Sequence, residues 1–108
     1  MTEKYNVYLD DLRTTPKGYQ LRAYTYEDMI EILTNMEGHI GTISLDNDLG
    51  AGLKEGHEVM DWIEEQYYTK GYKLPDKILV HSMNPIAKQK MERIIEKLYG
   101  DKNDKKSN

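Results

Sequence analysis

Three short stretches of this chain carry residue types that do chemistry: Leu9-Asp10-Asp11-x-Arg13, Ser44-Leu45-Asp46-Asn47-Asp48-Leu49-Gly50 and His81-Ser82-Met83-Asn84. Four carboxylates brought to one place repel one another, so either some hold protons or cations gather among them. A divalent, oxygen-seeking ion such as magnesium or manganese resolves that conflict most simply. Held by Asp10, Asp11 and Asp46, such an ion would neutralise phosphate oxygens or activate a water. Arg13 offers a planar fork of donors that suits a phosphate. His81 offers an imidazole, the side chain best suited to acid and base work near neutral pH, with Asp46 and Asp11 as catalytic carboxylates beside it. Ser82, Asn84 and Asp48 offer further contacts to a ligand.

These residues form a set only if the backbone brings them together, and the apolar pattern says how it does so. Tyr5 to Leu9, Leu21 to Tyr24, Gly41 to Leu45 and Lys77 to Val80 are short runs rich in strand formers. Between them lie helical patterns. Tyr26, Met29, Ile30, Leu33 and Met36 share one face after a cap at Thr25 and Asp28, with Gly38 as the stop. Val59, Met60, Ile63 and Tyr67 share a face between Gly56 and Lys70. Asn84-Pro85 opens a third helix with Ala87, Met91, Ile94, Ile95 and Leu98 inward and a stop at Gly100. The order predicts a mainly parallel sheet of about four strands covered by about three helices. In such sheets ligands bind beyond the carboxyl ends of the strands, and all three stretches sit there. The segment from Asp11 to Gln20 is too short and too irregular for the usual helical crossover of about a dozen residues, which leaves open how the second strand joins.

Each residue also has a plainer reading. Aspartates after strands form turns, Asn84 caps a helix, Arg13 pairs with the acids, and His39 and His57 have no such placement. The 108 residues make one domain with one modest core. No cysteine is present, which excludes disulfides and thiolate metal sites and fits a reducing cytoplasm. No run approaches the roughly 18 apolar residues of a membrane span, and the first residues lack a signal-peptide core, so a soluble protein with no membrane partner is expected. A net charge of -4 argues against duplex DNA as a partner, while leaving a single nucleotide or an RNA end open. Residues 101–108, Lys-rich and free of apolar side chains, are expected to form a disordered charged tail.

Leu-Asp-Asp-x-Arg-x-x-Pro at 9–16, Ser-Leu-Asp-x-Asp-Leu-Gly at 44–50 and Val-His-Ser-x-Asn-Pro at 80–85 together resemble the cyclic-phosphate-processing receiver domain family. The likeness spans residues 1–100. It implies a three-layer receiver/flavodoxin-like α/β sandwich and a role in processing cyclic phosphate ends of RNA, in repair or in phage-host conflict. It maps the active-site positions onto Asp10, Asp11, Arg13, Asp46, Asp48, His81, Ser82 and Asn84. Asn47 stands where that family often carries His. The wider receiver superfamily phosphorylates an aspartate at the position of Asp46, but it also uses a lysine after a fifth strand, and here the pattern ends after four.

The expected function is therefore a metal-assisted phosphoesterase acting on a cyclic phosphate, on a nucleotide or RNA end. Two other readings use the same rim: a binding module that sequesters a nucleotide, with the Gly50–Gly56 loop closing over it, and a divergent phosphoacceptor domain.

Overall fold

The computed structural model describes residues 3–106, with side chains through residue 103. Its elements are β1 (Tyr5–Leu9), β2 (Leu21–Ala23), α1 (Tyr26–Asn35), β3 (Ile40–Leu45), α2 (Gly56–Lys70), β4 (Lys77–Val80) and α3 (Pro85–Lys106). The four strands form one sheet in the order β2-β1-β3-β4, and every pairing is parallel. This is the receiver/flavodoxin-like α/β class that the sequence predicts. Among the described residues no helix is long and apolar enough to cross a membrane.

Strand alternation divides the sheet into two faces. Val7, Leu9, Ile43, Leu45 and Ile78 join Met29 and Leu33 of α1, Val59, Met60 and Ile63 of α2, and Met91 and Leu98 of α3 in one buried cluster. Truncating one of these side chains to alanine costs about 2–5 kcal/mol, the usual range for a filled core position. The opposite face carries Tyr8, Ser44 and Leu79, which lie in one row across β1, β3 and β4. The Tyr8 ring meets Tyr19 of the first loop edge-on at 5.4 Å and lies under the Arg22 guanidinium of β2 at 5.3 Å.

The same loop explains how β2 joins the sheet. Asp10 Oδ1 accepts from the backbone N–H groups of both Leu12 and Arg13 at 2.8 Å, which folds the chain back after β1. Arg22 reaches from β2 to donate to the Asp10 carbonyl at 2.7 and 3.2 Å and to Thr15 Oγ1 at 2.8 Å. Asn6 and Gln20 clamp the far end through side-chain and backbone bonds. Polar contacts thus replace the helix that normally spans a parallel crossover, and β2 lies parallel to β1 at the edge of the sheet.

The helix starts follow the sequence closely. Thr25 Oγ1 accepts from Asp28 N at 3.1 Å, and Asn84 Oδ1 accepts from Ala87 N at 3.1 Å. The end of α3 does not, because the helix passes through Gly100 and continues to Lys106. A glycine inside a helix costs only about 1 kcal/mol relative to alanine, and contacts beyond it offset that. Tyr68 of α2 donates its hydroxyl to Asp101, and Lys102 lies over the Tyr99 ring at 5.6 Å. Residues 101–106 of the expected tail are therefore helical, and 107–108 lie outside the described residues.

Candidate functional site

The site follows from strand register. Leu9 pairs with Leu45, and Leu45 with Val80, so the next residue on each strand falls in the same row. Those residues are Asp10, Asp46 and His81, and the ladder continues through them: Asp10 N donates to Ala23 O, Asp46 N to Leu9 O and His81 N to Leu45 O. β1 is also the point where the strand order reverses, with β2 on one side and β3 on the other. That is the position where open α/β sheets bind ligands.

One donor atom from each of Asp10, Asp46 and His81 lies within 4.8 Å of the others. The imidazole is held on three sides. Its Nε2 lies 2.9 Å from Asp10 Oδ2, its Nδ1 lies 2.7 Å from Ser44 Oγ, and its ring stacks on Tyr8 with centroids 4.6 Å apart and planes 5° from parallel. A proton on Nε2 satisfies the carboxylate, and the Ser44 hydroxyl, which both donates and accepts, serves Nδ1 in either charge state of the ring.

The two carboxylates of the cluster are pushed apart. Burial drives the Asp10 carboxyl upward, but the N–H groups of Arg13 and Leu12 and the His81 ring outweigh it and hold the group below its ordinary value. Asp46 is raised, first by burial and then by the charge of Asp10, against the opposing Asn47 N–H, His81 and Arg13. Asp10 therefore stays ionised, whereas Asp46 accepts a proton more readily. Neighbouring acids set at different strengths are what acid-base chemistry requires.

A cleft of about 400 Å³ opens beside the cluster, lined by Asp10, Asp11, Arg13, Asp46, Asp48 and Met83 among others. Arg13 has a half-exposed side chain that donates to the His81 carbonyl at 3.1 Å and passes 3.9 Å from Asp10 Oδ2. Asp11 and Asp48 line the cleft, but their carboxylates are outside the three-residue cluster. His81 thus stands where Asp11 is expected among the metal donors, because Asp11 comes one residue after the ladder row. Ser82 and Asn84 act at the start of α3. Ser82 Oγ accepts from Asn84 N at 3.0 Å, Asn84 caps the helix, and neither lines the cleft. His39 and His57 are outside the cluster, as their placement in the sequence predicts.

Four residues take part in ways that the sequence pattern does not assign. Ser44 and Tyr8 reach His81 from the strand interior, and only the register shows that they share its face. Gly56 begins α2 against the Asp46 loop: a Cβ there would meet the Asp46 carbonyl oxygen at 1.9 Å. Asn47 is 2% exposed and ties the loop to α2 by accepting from His57 N at Oδ1, 3.0 Å, and from Gly56 N at its carbonyl, 2.9 Å. Its role is to hold the loop, with no acid or base at that position.

The sequence model of a family described as the cyclic-phosphate processing receiver domain matches residues 5–97. No curated protein and no solved structure matches the chain.

Proposed function

The chain belongs to the cyclic-phosphate processing receiver domain family, and from that premise we propose that it is a metal-assisted phosphoesterase that opens a cyclic phosphate, on an RNA 2′,3′-cyclic end or a cyclic nucleotide. The observation that carries this reading is the charge of the cleft. Four carboxylates, Asp10, Asp11, Asp46 and Asp48, line it beside one cation, Arg13, so an anionic phosphate enters only if a further positive charge accompanies it. Asp10, Asp46 and His81 are close enough to share a divalent ion. Two carboxylates with one imidazole suit manganese better than magnesium, which prefers oxygen alone. When bound, the ion supplies neutralisation of phosphate oxygens and activation of water.

The chain's own residues do the rest. Arg13 orients the phosphate oxygens with its forked donors. Asp46, the carboxylate that accepts a proton more readily, takes the proton of the attacking water. Water adds to phosphorus, one ring P–O bond breaks, and the released oxygen takes the proton that Asp46 accepted, which leaves a phosphomonoester and a hydroxyl and restores the carboxylate.

A second, metal-independent form of the reaction is favoured by one detail. Both oxygens of Asp10 are already engaged, Oδ1 by two backbone N–H groups and Oδ2 by His81. In that form the Nε2 proton that His81 shares with Asp10 Oδ2 passes to the leaving oxygen, which displaces the carboxylate contact as the substrate enters. Ligation at Nε2 and proton transfer from it exclude each other.

The test is incubation of the purified chain with 2′,3′-cyclic nucleotides, RNA with a cyclic end and cyclic dinucleotides, with manganese, magnesium or a chelator, and mass analysis of the products. Ring opening that needs the ion and is lost in Asp46→Ala supports the first form; ring opening in chelator that is lost in His81→Ala supports the second. Retention of intact ligand without turnover would replace both with a sequestering module.

A further inference from the structure

A second cavity, about twice the volume of the acidic cleft, is a trough of about 820 Å³ along the outer edge of β4, lined by Ser44, Leu79, His81, Glu92, Ile95, Glu96 and Tyr99 among others. β4 pairs only with β3, so its other side is an open sheet edge among the described residues. The N–H of His81 points to β3, and alternation along a parallel strand then turns the N–H and C=O groups of Ile78 and Val80 toward the trough. An edge of this kind is a template for another strand.

We propose that this trough docks an extended polypeptide segment with basic residues, which adds to the open edge of β4 as a further strand. The backbone of Ile78 and Val80 specifies an extended occupant, because only a strand meets a row of alternating donors and acceptors. The walls specify its side chains. Leu79 is 40% exposed beside Ile95 and Tyr99, which gives an apolar floor. Glu92 and Glu96 stand one turn apart on α3, and neither has an ion-pair partner among the described residues. Among the described side chains no lysine or arginine lines the trough. A second copy of this chain is the wrong occupant, since pairing β4 with β4 would bring both pairs of carboxylates together. Lys77, exposed at the start of β4, also disfavours pairing between identical edges. Ser44 and His81 form one end of the trough, so a docked segment touches the Ser44 side of the imidazole and its occupancy is felt in the acidic cleft.

The experiment uses the ¹⁵N-labelled chain and two synthetic peptides of alternating valine and threonine, one flanked by lysines and one by glutamates. With the lysine peptide, the amides of Ile78 and Val80 shift and gain protection from hydrogen exchange. The double variant Glu92→Lys/Glu96→Lys alters exposed helix positions that accept lysine. It weakens the lysine peptide roughly tenfold and strengthens the glutamate peptide, as reversal of two rim charges predicts. The proposal is overturned if neither peptide perturbs these amides at millimolar concentration, or if binding ignores the charge reversal. It is equally overturned if the chain dimerises on its own and Leu79→Lys abolishes the dimer.

Discussion

The Nε2 of His81 lies 2.9 Å from Oδ2 of Asp10, although the two residues are 71 positions apart in sequence. Asp10 is 1% exposed, and its other oxygen accepts two backbone N–H groups from the turn after β1. One buried carboxylate therefore joins the fold of the first loop to the orientation of the imidazole.

Removing that carboxylate tests the link. Asp10→Ala leaves two N–H groups and a ring nitrogen without their acceptor and lowers stability by about 2–3 kcal/mol, read from urea unfolding. Asp10→Asn keeps one acceptor oxygen and loses less. Equal stability of wild type and Asp10→Ala would show that water replaces the carboxylate without cost.

The two carboxylates give opposite pH dependences. The folded value of Asp10 is depressed, so its contribution is fully present above its unfolded value of about 4 and is lost as pH falls through the lower folded value. The folded value of Asp46 is raised, so protonation favours the folded state and the ionised group costs stability above that value. Without metal at neutral pH, Asp46→Asn is therefore expected to melt above wild type, while Asp10→Asn melts below it with a flattened acid limb. Manganese then reverses the first order, because it raises the melting temperature of wild type and not of Asp46→Asn. A parallel response of both proteins to manganese would place the ion elsewhere.

Gly56→Ala tests the seat of the Asp46 loop. The added Cβ falls 1.9 Å from the Asp46 carbonyl oxygen and 3.0 Å from the Asn47 Cα, both backbone, so the loop or α2 must shift. The expected loss is about 1–3 kcal/mol with manganese binding weakened as well. The contrasting control is Gly52→Ala, where φ is +77° but no atom lies within 4 Å; it strains only its own backbone and leaves the ion site intact.

Ser44 is a positioning residue, and its test is the split between kcat and KM. In the metal-independent form, His81→Ala lowers turnover by about 10²–10⁴-fold, the usual contribution of a positioned acid or base. Ser44→Ala keeps the fold and the substrate KM but lowers kcat, because the imidazole loses the Nδ1 partner that fixes the direction of its ring. A kcat for Ser44→Ala equal to wild type would remove Ser44 from the site.

The element order, the parallel sheet and the row of acids at its rim were legible in the sequence because they rest on local chemistry. Strand formers alternate with helical faces, Thr25 and Asn84 cap through their own side chains, and Asp10, Asp46 and His81 each follow an apolar run directly. Tertiary structure decided what depends on pairing across the sheet. Register made His81 rather than Asp11 the third member of the cluster, and it brought Ser44 and Tyr8, whose types announce only a strand, onto the imidazole. Side-chain clamps from Arg22 and Gln20 joined β2 without a helix. Contacts from Tyr68 and Lys102 likewise carried α3 past a glycine that reads as a stop. Local pattern records what a segment prefers, whereas partners many residues away determine which atoms finally meet.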